Sequence, residues 1–351
     1  MNSERLTDRD RREARRRIRE RNRRILITRS IVLVLILVVV MLLAFLCIKL
    51  IRENKVRDWY DAETRFGNII REEITSNRLE PKGAGVCVVK QTDTGPTENF
   101  SPEAGLVACA GEPYARFSKN ALVRMNPAST TKIMTAILTL KNCEMNEKVV
   151  IPQEAWIDEP GASLAGIRPG QTLTVQQLLY GLMLPSGNDC AAALAVHIAG
   201  SIEAFADMMN AEAARIGAVH THFTNPHGLT DENHYTTAYD LYLMTNEAMQ
   251  DERFIEISGS KSYTAEFTDV DGLAISRTWN NSNKYVSGKE NMPENLKALC
   301  GKTGTTLAAG SCLVMVSESP EGVRTVSVIL KAKNRDTLYE NMNYLLLNFN
   351  Y

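Results

Sequence analysis

The feature that most limits what this chain can fold into is a run of eighteen residues without a charge, Ile31–Ile48. At ~1.5 Å per residue such a helix is ~27 Å long, close to the ~30 Å hydrocarbon core of a bilayer. Ile25–Ile27 and Leu50–Ile51 carry the apolar character past single basic residues, whose long side chains can snorkel. A cleaved signal peptide has a shorter apolar core followed by a small-x-small site, which is missing here, and Leu46 before Cys47 does not suit a lipoprotein signal. The run therefore predicts a retained transmembrane helix over residues 31–51. Residues 1–30 hold twelve Arg against five acids, a charge of +7, which leaves −8 for the other 321 residues. Basic flanks stay on the cytoplasmic side, so the tail is expected inside the cell membrane and the remainder outside it. The overall charge of −1 gives no reason to expect nucleic acid as a partner.

Past the span, residues 52–82 are highly charged, with apolar side chains at helical intervals (Val56, Trp59, Phe66, Ile70, Ile74), and read as a helical stalk. Residues 83–351 are long enough for one large domain. A first strand is expected at Val86–Lys90, a long loop over Asp93–Pro113, and a strand and turn ending near Asn120. Helices are expected at Ile133–Leu140, Leu173–Leu184, Ala191–Ala199, Ile202–Ile216, Tyr239–Met249 and Thr337–Leu347. Late strands are expected at Leu299–Thr306, Ser311–Ser317 and Thr325–Lys331. Strands at both ends with helices between them predict an α+β domain: one sheet built from both ends of the chain, flanked by helices, with a helical subdomain.

Three short motifs lie in order: Ser129-Thr-Thr-Lys132, Ser186-Gly-Asn188 and Lys302-Thr-Gly304. Each has a decoy or an ordinary explanation. Ser258-Gly-Ser-Lys261 repeats the first, but FIEISGSKSYTAEF reads as extended, where i and i+3 point to opposite faces. Ser118-Lys-Asn120 repeats the second, in a turn. Ser129 is instead followed by KIMTAILTLK, whose apolar residues share a helical face, so Lys132 can reach the Ser129 hydroxyl one turn away. A serine hydroxyl needs a base to act as a nucleophile, and lysine serves only when its pKa is pushed down by burial, a helix N-terminus or another cation. Ser186 and Asn188 open the helix DCAAALAVHIA, where capping is the ordinary reading and contact with Lys132 or substrate the functional one. Lys302 and Thr303, on a strand, offer a cation and a hydroxyl to a carboxylate, and Gly304 allows close approach.

Taken together, these motifs resemble the active-site set of penicillin-binding proteins and serine β-lactamases. The closer resemblance is to the low-molecular-mass D-alanyl-D-alanine carboxypeptidases. It rests on PASTTKIMTA, LLYGLMLPSGNDCAAALA, FTNPHGLTDENHYTTAYDL and GKTGTT, over about Val86 to Ile329. The resemblance implies a β-lactamase/transpeptidase-like fold and removal of the terminal D-alanine from peptidoglycan stem pentapeptides. In that reading Ser129 is the acyl-ester nucleophile, Lys132 its general base and Ser186 a proton relay, while Asn188, Lys302 and Thr303 bind substrate. The backbone N–H groups of Ser129 and Thr305 form the oxyanion hole, and some relatives have His where Thr305 stands. β-Lactam antibiotics are the implied covalent inhibitors. Relatives often carry a C-terminal β-rich domain and amphipathic anchor, neither of which is expected here, where the N-terminal span would take the anchor's place.

The alternatives are a transpeptidase, endopeptidase or β-lactamase using the same acyl-serine, and a non-catalytic peptidoglycan-binding sensor. The last requires a damaged motif, and all three are intact. No metal or cofactor is expected: the five histidines, His197, His220, His222, His227 and His234, show no H-E-x-x-H spacing, and His227 and His234 read as structural. Of the seven cysteines, Cys300 and Cys312 could face each other across a hairpin, or all could be small buried hydrophobes.

Overall fold

Two antiparallel sheets carry the strands. The computed structural model describes Met41 and residues 87–350, except 91, 110 and 111. Apart from Met41, the expected transmembrane helix and the stalk lie outside these residues. The chain divides into two compact units, Met1–Lys82 and Gly83–Tyr351, and the second is described here.

The larger sheet has the order β2-β1-β9-β8-β7, with β1 Ala104–Cys109, β2 Phe117–Lys119, β7 Lys297–Thr306, β8 Gly310–Glu318 and β9 Arg324–Ala332. It is the expected sheet built from both ends of the chain. β8 is buried at Ser311–Ser317 without interruption, because both faces are covered, and so its sequence shows no alternation. Leu313, Met315 and Ile329 face α8, Arg335–Phe349, through Leu338, Met342 and Leu345. Val314, Val316, Val328 and Leu330 face the main helical core.

That core consists of α1 Lys132–Asn142, α2 Val175–Met183, α3 Asn188–Ala199, α4 Ile202–Ile216, α5 Ala238–Ala248 and α6 Glu252–Ser258; a short α7, Lys284–Ser287, precedes β7. Local signals set the boundaries. Thr174 and Gln177 form a reciprocal capping box at α2, Ser201 caps α4, Thr237 caps α5 and Asn334 caps α8. The smaller sheet, β3-β4-β5-β6, comprises Lys148–Val150, Thr172–Thr174, Ser262–Thr268 and Ala274–Asn280. Among the described residues no single helix is long and apolar enough to cross a membrane.

Four expectations need correction. The described part of Val86–Lys90 contributes a single bridge, Val88 with Tyr114, rather than a strand. The long loop Asp93–Pro113 contains β1, whose six residues are all buried between β2 and β9. FIEIS is helical, not extended, with Asp251 accepting from the Arg253 N–H at the start of α6. Cys300 pairs in register with Val316 and Cys312 with Gly304, so the two thiols do not face each other; both are free and buried.

Candidate active site

Ser129 sits at a strained corner. Ala128–Thr131 form a 3-10 turn that runs into α1, with Thr130 Oγ1 donating to Pro127 O at 2.7 Å and Thr131 Oγ1 to Ala128 O at 2.9 Å. Ala128 has φ +49, a left-handed conformation that costs an L-residue ~1–2 kcal/mol. Its surroundings impose it. A Cβ on Gly228 would lie 1.9 Å from Ala128 O, so only glycine lets the 223–236 segment close over this turn. That segment is stitched to α1 at two further points. Thr135 Oγ1 donates to Pro226 O at 2.6 Å, and Thr131 Oγ1 lies 2.8 Å from His234 Nε2. His234 Nδ1 accepts from the Thr224 N–H at 3.1 Å, so Nε2 carries the proton and donates to Thr131. Burial pushes His234 down to about 4, consistent with this neutral, structural ring.

Lys132 Nζ lies 2.8 Å from Ser129 Oγ, 2.7 Å from Asn188 Oδ1 and 2.7 Å from His227 O. A neutral amine has two N–H donors and one lone pair. In the neutral form Asn188 and His227 accept the two protons and the lone pair is left for the Ser129 hydroxyl; in the ammonium form Ser129 Oγ accepts the third proton. Complete burial, and then the Lys302 charge, hold the Lys132 pKa well below the ordinary lysine range, with Asp189 opposing. Asp189 is fixed beneath them: its carboxylate accepts from the N–H groups of Ala165, Gly166 and Ile167 at 2.7–3.1 Å. This ties the loop bearing Ser163, whose carbonyl accepts from Asn188 N–H, to the start of α3.

On the other side, edge strand β7 presents Lys302. Its Nζ donates to Ser186 Oγ and to Thr303 O, both at 2.9 Å, and burial pushes its pKa down to about 7. Ser186 also has a left-handed backbone, φ +67. The hydroxyl of Ser186, expected to relay a proton between Lys132 and the leaving amine, accepts from Lys302. Thr303 Oγ1 pairs with Ser282 Oγ at 2.7 Å. A Cβ on Gly304 would lie 2.9 Å from Ser129 N, which is the close approach expected of that glycine.

Ser129, Asn188, His227 and Thr305 line one cleft of about 940 Å³. Residues far apart in the sequence thus converge on one place. Sequence reasoning missed Ser282 and the exposed Arg335, which lines the far wall of the cleft. The Asn-Arg-Asp run at 334–336 reads only as a helix start, and Ser282 is an ordinary loop residue. The decoy Ser258 is buried at the end of α6 with its hydroxyl donating to Phe254 O at 2.6 Å, while Lys261 is exposed.

A family model described as D-alanyl-D-alanine carboxypeptidase matches residues 116–334, which include every site residue above except Arg335. The D-alanyl-D-alanine carboxypeptidase DacF of Bacillus subtilis is 33% identical over 221 residues, covering 62% of this chain and 54% of the relative. That of a Streptomyces species is 34% identical over 244 residues, covering 65% and 81%. The chain therefore spans little more than half the length of the first of these relatives and most of the second. The crystal structure of a Streptomyces DD-transpeptidase superposes with a TM-score of 0.64 at 30% identity, over 71% of this chain and 98% of that one. With family match, relatives, fold and convergent motifs in agreement, the chain belongs to the D-alanyl-D-alanine carboxypeptidase family of serine peptidases.

Proposed function

We propose that this chain is a membrane-anchored serine D-Ala-D-Ala carboxypeptidase that removes the terminal D-alanine of peptidoglycan stem pentapeptides. The observation that carries the reading is the position of the buried Lys132 Nζ, 2.8 Å from Ser129 Oγ, with Asn188 Oδ1 and His227 O as its other partners and a pKa held well below the ordinary lysine range by burial. Lys132 takes the Ser129 proton as Oγ attacks the penultimate carbonyl carbon. The oxyanion forms against the backbone N–H groups of Ser129 and Thr305. As the C–N bond breaks, the proton that Lys132 took from Ser129 passes by way of the Ser186 hydroxyl to the departing D-alanine amine, which restores neutral Lys132. Lys132 then takes a proton from the water that attacks the acyl-ester and returns it to Ser129 Oγ as the new carboxylate leaves. Asn188 has its Oδ1 committed to Lys132, which leaves its amide nitrogen for the substrate. Lys302 and Thr303 hold the terminal carboxylate, and Arg335 adds positive charge to the same cleft. A β-lactam enters by the same acylation.

The deciding experiment is incubation with a pentapeptide ending in D-Ala-D-Ala, with mass spectrometry of protein and products. Free D-alanine, tetrapeptide and an acyl adduct on Ser129 are expected. Predominantly cross-linked product would move the protein to transpeptidation, the activity named for the Streptomyces structural neighbour. Attachment to the membrane through residues 31–51, with the catalytic unit outside, is supported by the charge-free run and the +7 tail. Protease added to intact spheroplasts should digest residues 83–351; full protection until lysis would refute this topology.

A further inference from the structure

The helices that carry the two partners in the Lys132–Asn188 contact also meet at their other ends. α1 begins at Lys132 and α3 at Asn188, and these residues touch at 2.7 Å. Cys143 immediately follows α1 and His197 lies in the last turn of α3. Glu147 stands in the turn before β3. The ligand atoms of Cys143, Glu147 and His197 all lie within 4.8 Å of one another. Eleven residues of helix place this cluster ~16 Å along α1 from the catalytic lysine.

From this convergence we infer that Cys143, Glu147 and His197 form a binding site for a divalent transition-metal ion, Zn²⁺ by preference, that clamps the C-terminal ends of the two catalytic helices. Four observations support it. The donor set, one sulfur, one imidazole nitrogen and one carboxylate oxygen, is a Zn²⁺ set, and three protein ligands leave a fourth position for water. The side chains of His197 and Glu147 are 24% and 41% exposed, so an ion and its water can enter from solvent. The C-terminal ends of two helices contribute to the site, and helix dipoles favour a cation within the last turn. The frame is fixed without the ion: the Cys143 N–H donates to Thr139 O, Glu147 O accepts from Val175 N–H, and Met145 O accepts from Gln176 N–H.

The 2.9 Å contact between His197 Nε2 and Glu147 Oε1 accounts for those two residues as an ordinary pair. It does not account for a half-buried thiol held within ligand distance of both. On its own that thiol is a protonated group, because burial and the Glu147 charge push it up to about 11. Binding converts the thiol to a thiolate, its proton passing to solvent, with no change of oxidation state. No sequence motif announces the site, since the ligands come from two segments fifty residues apart in the chain.

The test uses the full-length protein and cobalt(II) chloride as a spectroscopic probe, followed by displacement with zinc chloride. One Co²⁺ per chain is expected, with a thiolate-to-cobalt charge-transfer band that Zn²⁺ abolishes. Cys143→Ser should remove the band. His197→Gln and Glu147→Gln should weaken binding beyond the ~10–100-fold typical of losing an outer-shell partner. Circular dichroism of each variant checks folding, and Zn²⁺ should raise the melting temperature of the unmodified protein but not of Cys143→Ser. The inference is overturned if no thiolate band forms, if the band survives Cys143→Ser, or if folded His197→Gln and Glu147→Gln bind Co²⁺ as tightly as the unmodified protein. Acylation of Ser129 plays no part in these readouts, so the outcome is independent of the catalytic reading.

Discussion

Replacing Asn188 by Asp keeps the shape of the side chain and puts a carboxylate oxygen where Oδ1 now accepts from Lys132 Nζ at 2.7 Å. At that separation and an effective dielectric of about 20, opposite unit charges attract by ~6 kcal/mol. As a ceiling this raises the Lys132 pKa by ~4 units, and a third of it, ~2 kcal/mol, still raises it by ~1.5. The shift opposes the burial and the Lys302 charge that hold the group down. Only the neutral amine can take the Ser129 proton, so acylation rises with pH through the Lys132 pKa. Asn188→Asp should therefore move the ascending limb of the acylation profile upward by ~1.5–4 units, costing about tenfold per unit at any pH below it. Asn188→Ala removes the acceptor without adding charge; it should lower the plateau and shift the limb far less. Stopped-flow acylation by a fluorescent penicillin across a pH series measures both quantities. An Asn188→Asp profile with a lowered plateau and an unmoved limb would refute Lys132 as the base and leave Asn188 a mere packing contact.

Ser129→Ala should abolish covalent penicillin labelling on a gel, while Ser258→Ala, which loses only a hydrogen bond to Phe254 O at the end of α6, should leave it intact; the reverse pattern would put the nucleophile elsewhere. Lys302 is pushed down to about 7 by burial, so in the empty cleft it is cationic below that pH and neutral above it. Cleavage of acyl-D-Ala-D-Ala, read as kcat/KM, should therefore fall as pH rises past about 7, and Lys302→Arg, whose guanidinium stays charged, should remove that descending limb while lowering the rate.

What could be read from the sequence follows the range of the interactions. Ser129 and Lys132 are three residues apart, so a single helical turn brings them together, and the apolar face of KIMTAIL announces the helix that does so. Lys302 and Ser186 are 116 residues apart, and nothing local to either indicates that one bonds the other. Without that contact, Ser186 reads as a partner of Lys132. The same limit hides β1. AGLVAC is buried on both faces and lacks alternation, and the Gly, Pro and Glu residues flanking it read as loop until β9 supplies a partner 215 residues away. α6 shows the opposite failure. Its isoleucines favour extended backbone, but the Asp251 cap and the burial of Phe254 and Ile257 against the core override that preference.

The two lysines make opposite demands, and the fold meets both with one arrangement. In the proposed reaction Lys132 must be neutral, and Lys302 must carry charge to hold a carboxylate. Both are fully buried, so desolvation alone pushes both down. Their partners separate them. Lys132 has all its hydrogen-bonding positions taken within the protein, by Asn188, His227 and Ser129, and has none left for a substrate carboxylate. Lys302 donates to Ser186 and Thr303 O, and as an ammonium it has a third N–H to offer. In the proposed complex a substrate carboxylate takes that third bond and stabilises the Lys302 ammonium. A peptide ending in an amide supplies no such charge and leaves that third N–H to a neutral acceptor. On the proposed function, acyl-D-Ala-D-Ala should therefore be cleaved faster than the same peptide ending in an amide, and substitution of Lys302 should erode that preference; equal cleavage of acid and amide by the unmodified protein would remove the role proposed for Lys302.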